Sequence, residues 1–253
     1  MKLDCVLTAV NENKLYVDFI PFFIKIWNKL YPEVDIKIIL IANEIPDDFT
    51  EYKSNIILFK PIENVSTSFI SQYVRLLYPA ILKYKNGVMI TDIDMVPMNK
   101  VYYIENISSI TNDKFIYFRE NICLNANQIA MCYNVALPEI WCDIFKINSI
   151  EDIEERLEKV YNMINYIEGH GKSGWSKDQV DLYKHVMEWN IKTGNFICLK
   201  EKDTKFHRLD RDTFDINNQI IRDNISNGKY TDYHCFRPMN KYENINNKIY
   251  ELL

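Results

Sequence analysis

Short apolar runs and amphipathic stretches take turns over the first hundred residues, and that alternation restricts the possible folds more than any other feature of the chain. Residues 3–9 read as a strand, the polar turn Asn11-Glu12-Asn13 follows, and the apolar stretch 15–31 carries Pro21, so its helix starts or kinks there. Residues 35–42 read as a buried strand and 55–60 as another. Ser66, Thr67 and Ser68 are candidate N-caps of a helix whose Phe69, Tyr73, Leu76, Leu77 and Ala80 share one face, with a kink expected at Pro79. Residues 87–91 then form a strand that runs directly into Asp92-Ile93-Asp94, and Pro97 ends it. Strands separated by helices predict an α/β fold with a mostly parallel central sheet and helices on both faces.

The second half is more mixed. Residues 115–118 and 128–135 read as strands, Pro138 opens a helix through 145, and 150–167 reads as a charged amphipathic helix. After the loop Glu168-Gly169-His170-Gly171-Lys172-Ser173-Gly174, a helix runs from about 176 to 189 and a short strand covers 196–199. The remainder reads as loop-rich, with a strand-like 230–236 and a C-terminal helix from about 242. No repeat, low-complexity tract or linker marks a boundary, so one domain over 1–253 is expected.

At 253 residues, 47% apolar and 26% charged, the chain has the material for a packed core, which excludes disordered, collagen-like and coiled-coil classes. A net charge of −5 and a pI near 5.5 argue against general affinity for nucleic acid, which needs clustered Lys and Arg. The six cysteines (Cys5, Cys123, Cys132, Cys142, Cys198, Cys235) form no C-x-x-C pair and no dense framework, so reduced thiols are expected. The first residues lack the basic flank and longer apolar run of a signal peptide, and no stretch approaches the roughly 20 apolar residues of a membrane helix. A cytoplasmic protein without a membrane span is the expectation. The 27 Asn and 36 Ile beside only 6 Gly are the bias that an AT-rich coding sequence produces.

With 18 Asp in the chain, chance supplies about one D-x-D triplet, and two are present. Asp210-Arg211-Asp212 lies in a polar loop. Asp92-Ile93-Asp94 follows an apolar strand, and in open α/β sheets ligands collect outside the carboxyl ends of strands. Side chains at i and i+2 of an extended segment point the same way, so both carboxylates can face one cation. Such hard oxygen ligands suit Mg²⁺ or Mn²⁺, which keeps waters and takes further ligands from a diphosphate. A solvated acidic turn is the plain alternative.

The run Gln72-Tyr73-Val74-Arg75-Leu76-Leu77-Tyr78-Pro79-Ala80-Ile81-Leu82, followed by Val88-Met89-Ile90-Thr91-Asp92-Ile93-Asp94, resembles the centre of GT-A-fold glycosyltransferases, especially the galactosyltransferase and glycogenin-like families. Thr8-Ala9-Val10-Asn11 is similar to the loop that holds the uridine in such enzymes. Tyr133-Asn134-Val135-Ala136 resembles their Asn-x-Gly strand entry beside the sugar, with Ala136 in place of glycine. Asp178-Gln179-x-x-Leu182 resembles their Asp-Gln motif near the donor sugar, with Tyr183 where Asn is usual. His234-Cys235-Phe236-Arg237-Pro238 resembles the late His that completes the metal site. The agreement runs in order over residues 3–240. The composition adds a likeness to glycosyltransferases of large DNA viruses, similar to the first domain of a chlorovirus capsid-glycan enzyme, which would place the protein in a host cytoplasm or a virion.

The resemblance implies a GT-A (Rossmann-like) domain with a nucleotide-binding half over about 1–100 and an acceptor half over about 101–253. It implies transfer of a hexose or deoxyhexose from a UDP-sugar donor to a hydroxyl of a glycan or protein acceptor, with Mn²⁺ (or Mg²⁺). On that basis Thr8, Ala9 and Asn11 contact the nucleotide, Asp92 reaches ribose or metal, and Asp94 and His234 bind the metal. Arg75 supports the D-x-D segment or the phosphates, Arg237 and Lys241 meet the diphosphate, and Asn134, Asp178 and Gln179 face the sugar. The cation offsets the charge of the departing diphosphate, and an imidazole ligand suits Mn²⁺ better than Mg²⁺. Asp178 would accept hydrogen bonds from sugar hydroxyls or take the acceptor proton.

Each residue also has a plainer reading. Arg75 could pair with a surface acid, His234 could be a structural histidine, and Asp178 could be a helix N-terminal acid worth about 0.3 to 1 kcal/mol. The Gly-Lys-Ser at 171–173 lacks the G-x-x-x-x-G-K spacing and the preceding strand of a P-loop, so an acceptor loop is expected there. Phe206-His207-Arg208-Leu209-Asp210-Arg211 either shapes the acceptor pocket or is a salt-bridged turn. Trp141 and Trp175 either stack on a sugar or belong to the core. Two other classes keep strand-end acids: a sugar-phosphate nucleotidyltransferase, against which the absence of glycine from 8–13 counts, and a non-catalytic sugar-nucleotide or glycan-binding relative.

Overall fold

The computed structural model describes residues 1–120 and 126–253; Cys123 lies outside them. A nearly unbroken apolar run makes β1 (Leu3–Asn11), buried along almost its whole length as a central parallel strand must be. Pro21 stands in the first turn of α1 (Ile20–Leu30), where its missing N–H costs no helix bond, so the helix starts at the proline instead of kinking. β2 (Asp35–Ile41) and β3 (Ile56–Phe59) follow. Ser66 precedes α2 (Thr67–Leu77), and Pro79 ends that helix in a 3-10 turn at Tyr78–Ile81 where the sequence suggested a kink. β4 (Gly87–Ile90) opens on a glycine because the space is taken: a Cβ there would stand 2.8 Å from Val135 Cγ2 and 3.1 Å from the Lys2 carbonyl.

The rest of the chain supplies β5 (Met95–Pro97), α3 (Tyr102–Ser108), β6 (Phe115–Tyr117), β7 (Asn134–Ala136), α4 (Pro138–Phe145), α5 (Ile150–Asn162), α6 (Lys177–Thr193) and β8 (Phe196–Cys198). After them come α7 (Glu201–Thr204), β9 (Arg208–Asp210), α8 (Gln219–Ser226), β10 (Asp232–His234) and α9 (Met239–Leu252). The main sheet has the order β3-β2-β1-β4-β7-β6-β8, with β7 antiparallel to both neighbours and the other pairs parallel. The chain winds outward from β1 to β3 and then crosses to the far side of β1 for β4. That reversal puts a switch point between the carboxyl ends of β1 and β4. β1 stays paired with β2 as far as Asn11, whereas its pairing with β4 stops at Leu7 and Ile90. The two strand ends therefore part, and Asp92–Asp94 lines one side of the cleft between them.

A second sheet, β5-β10-β9, begins at the residue after Asp94. Its register pairs His234 with Met95 on one side and with Asp210 on the other, and Asp232 with Pro97 and Arg208. The small sheet thus carries residues from the last fifth of the chain to the Asp92–Asp94 segment.

Three expectations from the sequence are corrected. Of 128–135 only β7 joins the sheet; Ile129–Tyr133 is buried without a ladder partner, so its apolar content reflects core packing alone. The helix expected over 150–167 ends at Asn162, because Met163 is 74% exposed and the Ile167 amide bonds the Ser173 carbonyl at 2.9 Å, turning the chain. The loop-rich C-terminal region contains α7, α8 and β9 besides β10, and its last helix starts at Met239. Trp141 is fully buried and donates Nε1–H to the Val88 carbonyl at 3.3 Å, which places it in the core. Among the described residues no helix is long and apolar enough to cross a membrane, and the five described cysteines are unpaired.

Candidate active site

A cavity of about 320 Å³ opens at the carboxyl ends of β1 and β4. Ala9, Asn11, Asn13 and Tyr16 form one wall and Asp178 and Gln179, at the start of α6, another. The third comes from Arg208, Arg211, His234 and Arg237 on the small sheet and its loops, with Arg75, Asp92 and Asp94 between them.

Arg75 lies on the buried face of α2 and is only 7% exposed at its side chain. Its Nη1 donates to the Thr91 carbonyl at 3.0 Å and to Asp92 Oδ1, and its Nη2 stands 3.6 Å from Asp178 Oδ2. Burial works against the guanidinium charge, but Asp92 and Asp178 outweigh it and hold its pKa above the ordinary value. Asp178 behaves differently. Burial pushes its carboxyl up to about 7, and Arg75 and the Gln179 amide, which donates to Oδ1 at 2.8 Å, offset only part of that. The reason is geometric: Arg75 hydrogen-bonds Asp92, while its approach to Asp178 is too long for a hydrogen bond. Asp178 is held in place by α6 itself, whose N-terminal part docks on α2 through Tyr73 Oη donating to Asp181 at 2.5 Å.

Asp94 is buried and faces two arginines and a histidine from the small sheet and its loops. Its Oδ2 lies 3.2 Å from Arg211 Nη1, 3.3 Å from Arg237 Nη1 and 3.6 Å from His234 Nε2. Burial alone would raise its pKa; His234, Arg237 and Arg211 overcome that and hold it at about 2. His234 Nδ1 meets Asp210 Oδ1 at 2.8 Å. In the tautomer that donates from Nδ1 to this carboxylate, Nε2, the nitrogen toward Asp94, is the one available to a metal. A carboxylate beside an imidazole whose other nitrogen is bound to a second carboxylate is suitable donor chemistry for a divalent cation. The pair fits as two ligands. Asp92 is turned to Arg75, and among the described residues no group of three or more His, Cys, Asp and Glu converges on a metal position.

Of the residues singled out from the sequence, Ala9, Asn11, Arg75, Asp92, Asp94, Asp178, Gln179, His234 and Arg237 all line the cavity. Asn11 also donates to Thr67 Oγ1 at 3.1 Å, tying the end of β1 to the first turn of α2. Three others stand elsewhere. Thr8 is fully buried in the sheet. Asn134 is fully buried too, and its Nδ2 donates to the Ala130 and Met131 carbonyls at 2.7 and 3.1 Å, so it shapes the loop that lines the cavity without reaching it. Lys241 is exposed over the Tyr242 ring. Trp175 and His170 reach the cavity rim, which brings the 168–174 loop to its mouth. Sequence reasoning missed Tyr16, whose hydroxyl accepts from Arg237 Nη1 and whose ring lies 5.1 Å from that guanidinium. It also missed Arg119, and it left Arg208 and Arg211 inside a charge-rich stretch with two readings.

No family model and no curated protein matches this sequence. Solved structures match its shape. The galactosyltransferase LgtC, crystallised with donor and acceptor sugar analogues, superposes with a TM-score of 0.52 at 11% identity over 98% of this chain and 94% of that one. The fold is GT-A. The glycosyltransferase GlyE of Streptococcus pneumoniae TIGR4 agrees, with a TM-score of 0.51 at 12% identity over the whole of this chain; the chain spans 60% of GlyE. Identities this low speak for the GT-A fold alone. The chemistry of the cavity rests on the residues that line it.

Proposed function

We propose that the cavity binds a UDP-sugar with a divalent cation, Mn²⁺ or Mg²⁺, and transfers the sugar to a hydroxyl of a glycan or protein acceptor. One observation carries this reading: Asp94 and His234 meet at the switch point of the sheet, with two arginines on the same carboxylate oxygen. Asp94 and His234 would hold the ion, with Asp92 two residues away, and the ion supplies positive charge against the departing diphosphate.

The chain's own groups divide the remaining work. Arg211 and Arg237 would exchange Asp94 for phosphate oxygens, since a guanidinium matches either anion. Ala9, Asn11 and Tyr16 flank the nucleoside. Asp178, poised at about 7, would accept a hydrogen bond or a proton from a sugar hydroxyl, and Gln179 stands beside it. Arg75 keeps Asp92 and the Thr91 carbonyl in place.

The test is a panel of UDP-sugars with Mn²⁺, scored for released UDP with and without hydroxyl acceptors. One preferred donor, with release lost in Asp94→Asn, is the expected result. UDP binding without release from any donor would overturn the transferase reading and favour a sugar-nucleotide-binding protein.

A further inference from the structure

The cavity has a second cationic wall that nucleotide and metal do not use. Arg208 on β9 occupies the rung next to Asp210, on the same face of the small sheet and about 7 Å along it by strand rise. Its Nε and Nη2 grip the fully buried Asp232, the latter at 2.5 Å. Arg119, at the end of β6, is 5% exposed and donates Nε–H to Glu201 at 2.6 Å. Both guanidiniums lie against Phe206, at 3.8 Å for Arg119 and 5.5 Å for Arg208.

Two features separate this pair from ordinary structural ion pairs. Each guanidinium is charge-compensated by its own carboxylate, Glu201 for Arg119 and Asp232 for Arg208, so what the pair offers a ligand is unused donors on two fixed, planar forks. Among the described residues Arg208 Nη1 and both Nη atoms of Arg119 have no hydrogen-bond partner, and both residues line the cavity. Their carboxylate partners hold the Nε edges, which orients the forks without occupying all their donors. Arg208 and Asp232 stand two residues along the small sheet from Asp210 and His234, about 7 Å by strand rise, which is about the span of one sugar ring.

Resting on the UDP-sugar reading, we propose that Arg119 and Arg208 form a carboxylate subsite and that this protein takes a hexuronate there, either as the transferred sugar or at the end of the acceptor. The test is calorimetric, in two arms. The first compares UDP-glucuronate and UDP-galacturonate with UDP-glucose and UDP-galactose. The second compares free glucuronate and galacturonate with glucose and galactose, with and without UDP.

In one arm the acid binds at least about ten-fold more tightly than its neutral counterpart, as a charge-assisted pair of bonds requires. Arg119→Gln brings that ratio to within about two-fold, and Arg119→Lys, which keeps the charge and loses the fork, falls between. Preference in the first arm assigns the acid to the donor, preference in the second to the acceptor. Equal binding of acid and neutral sugars in both arms of the native protein overturns the proposal whatever the variants do, as does a preference that survives in Arg119→Gln. Failure of UDP itself to bind would instead remove the nucleotide reading, and the free-sugar arm would still decide the subsite.

Discussion

Arg75 and Arg237 each hold an aspartate of the same three-residue segment, yet they belong to different kinds of structure. Arg75 sits on a long helix against the main sheet, 7% exposed, and has three oxygen partners besides Asp178. Arg237 lies beyond the short β10, 28% exposed, sharing Asp94 with Arg211 and touching Tyr16. The wound half of the molecule fixes the acids; the small sheet brings the cations to them. Groups of the first kind are costly to remove from the fold, and groups of the second are available to a ligand.

The largest effect should follow from removing Arg75. Arg75→Ala leaves Asp92 and Asp178 without their cation in a buried setting, and a loss of about 3 to 5 kcal/mol of stability in urea unfolding is expected. A loss under 1 kcal/mol would show that the two halves do not differ as described. Next comes the acid that burial disfavours. Because the folded pKa of Asp178 is raised, its contribution is intact below about pH 4 and is lost as pH rises through about 7. Asp178→Asn should therefore outlast the native protein by about 1 to 3 kcal/mol at pH 8 and match it near pH 4. On the proposed function, UDP release by the native protein should rise through pH 7, and the same variant should lose that rise. A variant less stable at pH 8 would contradict the placement of Asp178 as an acid strained by burial.

Smaller effects belong to the small sheet. Arg211→Ala and Arg237→Ala should each weaken UDP binding more than ten-fold while moving stability by less than about 1 kcal/mol, the reverse of the Arg75 pattern. Calorimetry and urea unfolding of the same preparations check both halves of that statement. Asp210→Asn should cost least, about ten-fold in Mn²⁺ affinity, because it only orients the His234 ring from a half-exposed position. An unchanged Mn²⁺ affinity would remove His234 from the proposed ligand pair.

The wound half was readable because each of its strands is an apolar run bounded by polar turns, and because Pro21 and Pro79 mark helix limits. Asp92 and Asp94 stood out for the same reason: an acidic pair directly after β4 is a local pattern. The small sheet left no such trace. Its strands are three residues long, too short for a period, and β5 looked like the tail of β4. Arg119, Arg208 and Arg211 reach the cavity through long-range pairing with β10 and β8, which residue spacing does not encode. The one available signal was the charge density of 206–211. Asn134 shows the opposite case: at a motif position expected to face the sugar, the structure has a buried side chain that holds the loop beside it.

The central claim is that two sheets meet to make one metal-assisted nucleotide site, and titration of the native protein with UDP, with and without Mn²⁺, tests it most directly. Binding that requires Mn²⁺ and disappears in Asp94→Asn is the predicted result. UDP binding that is equally tight without the metal and in the variant, or no binding in either condition, would contradict it.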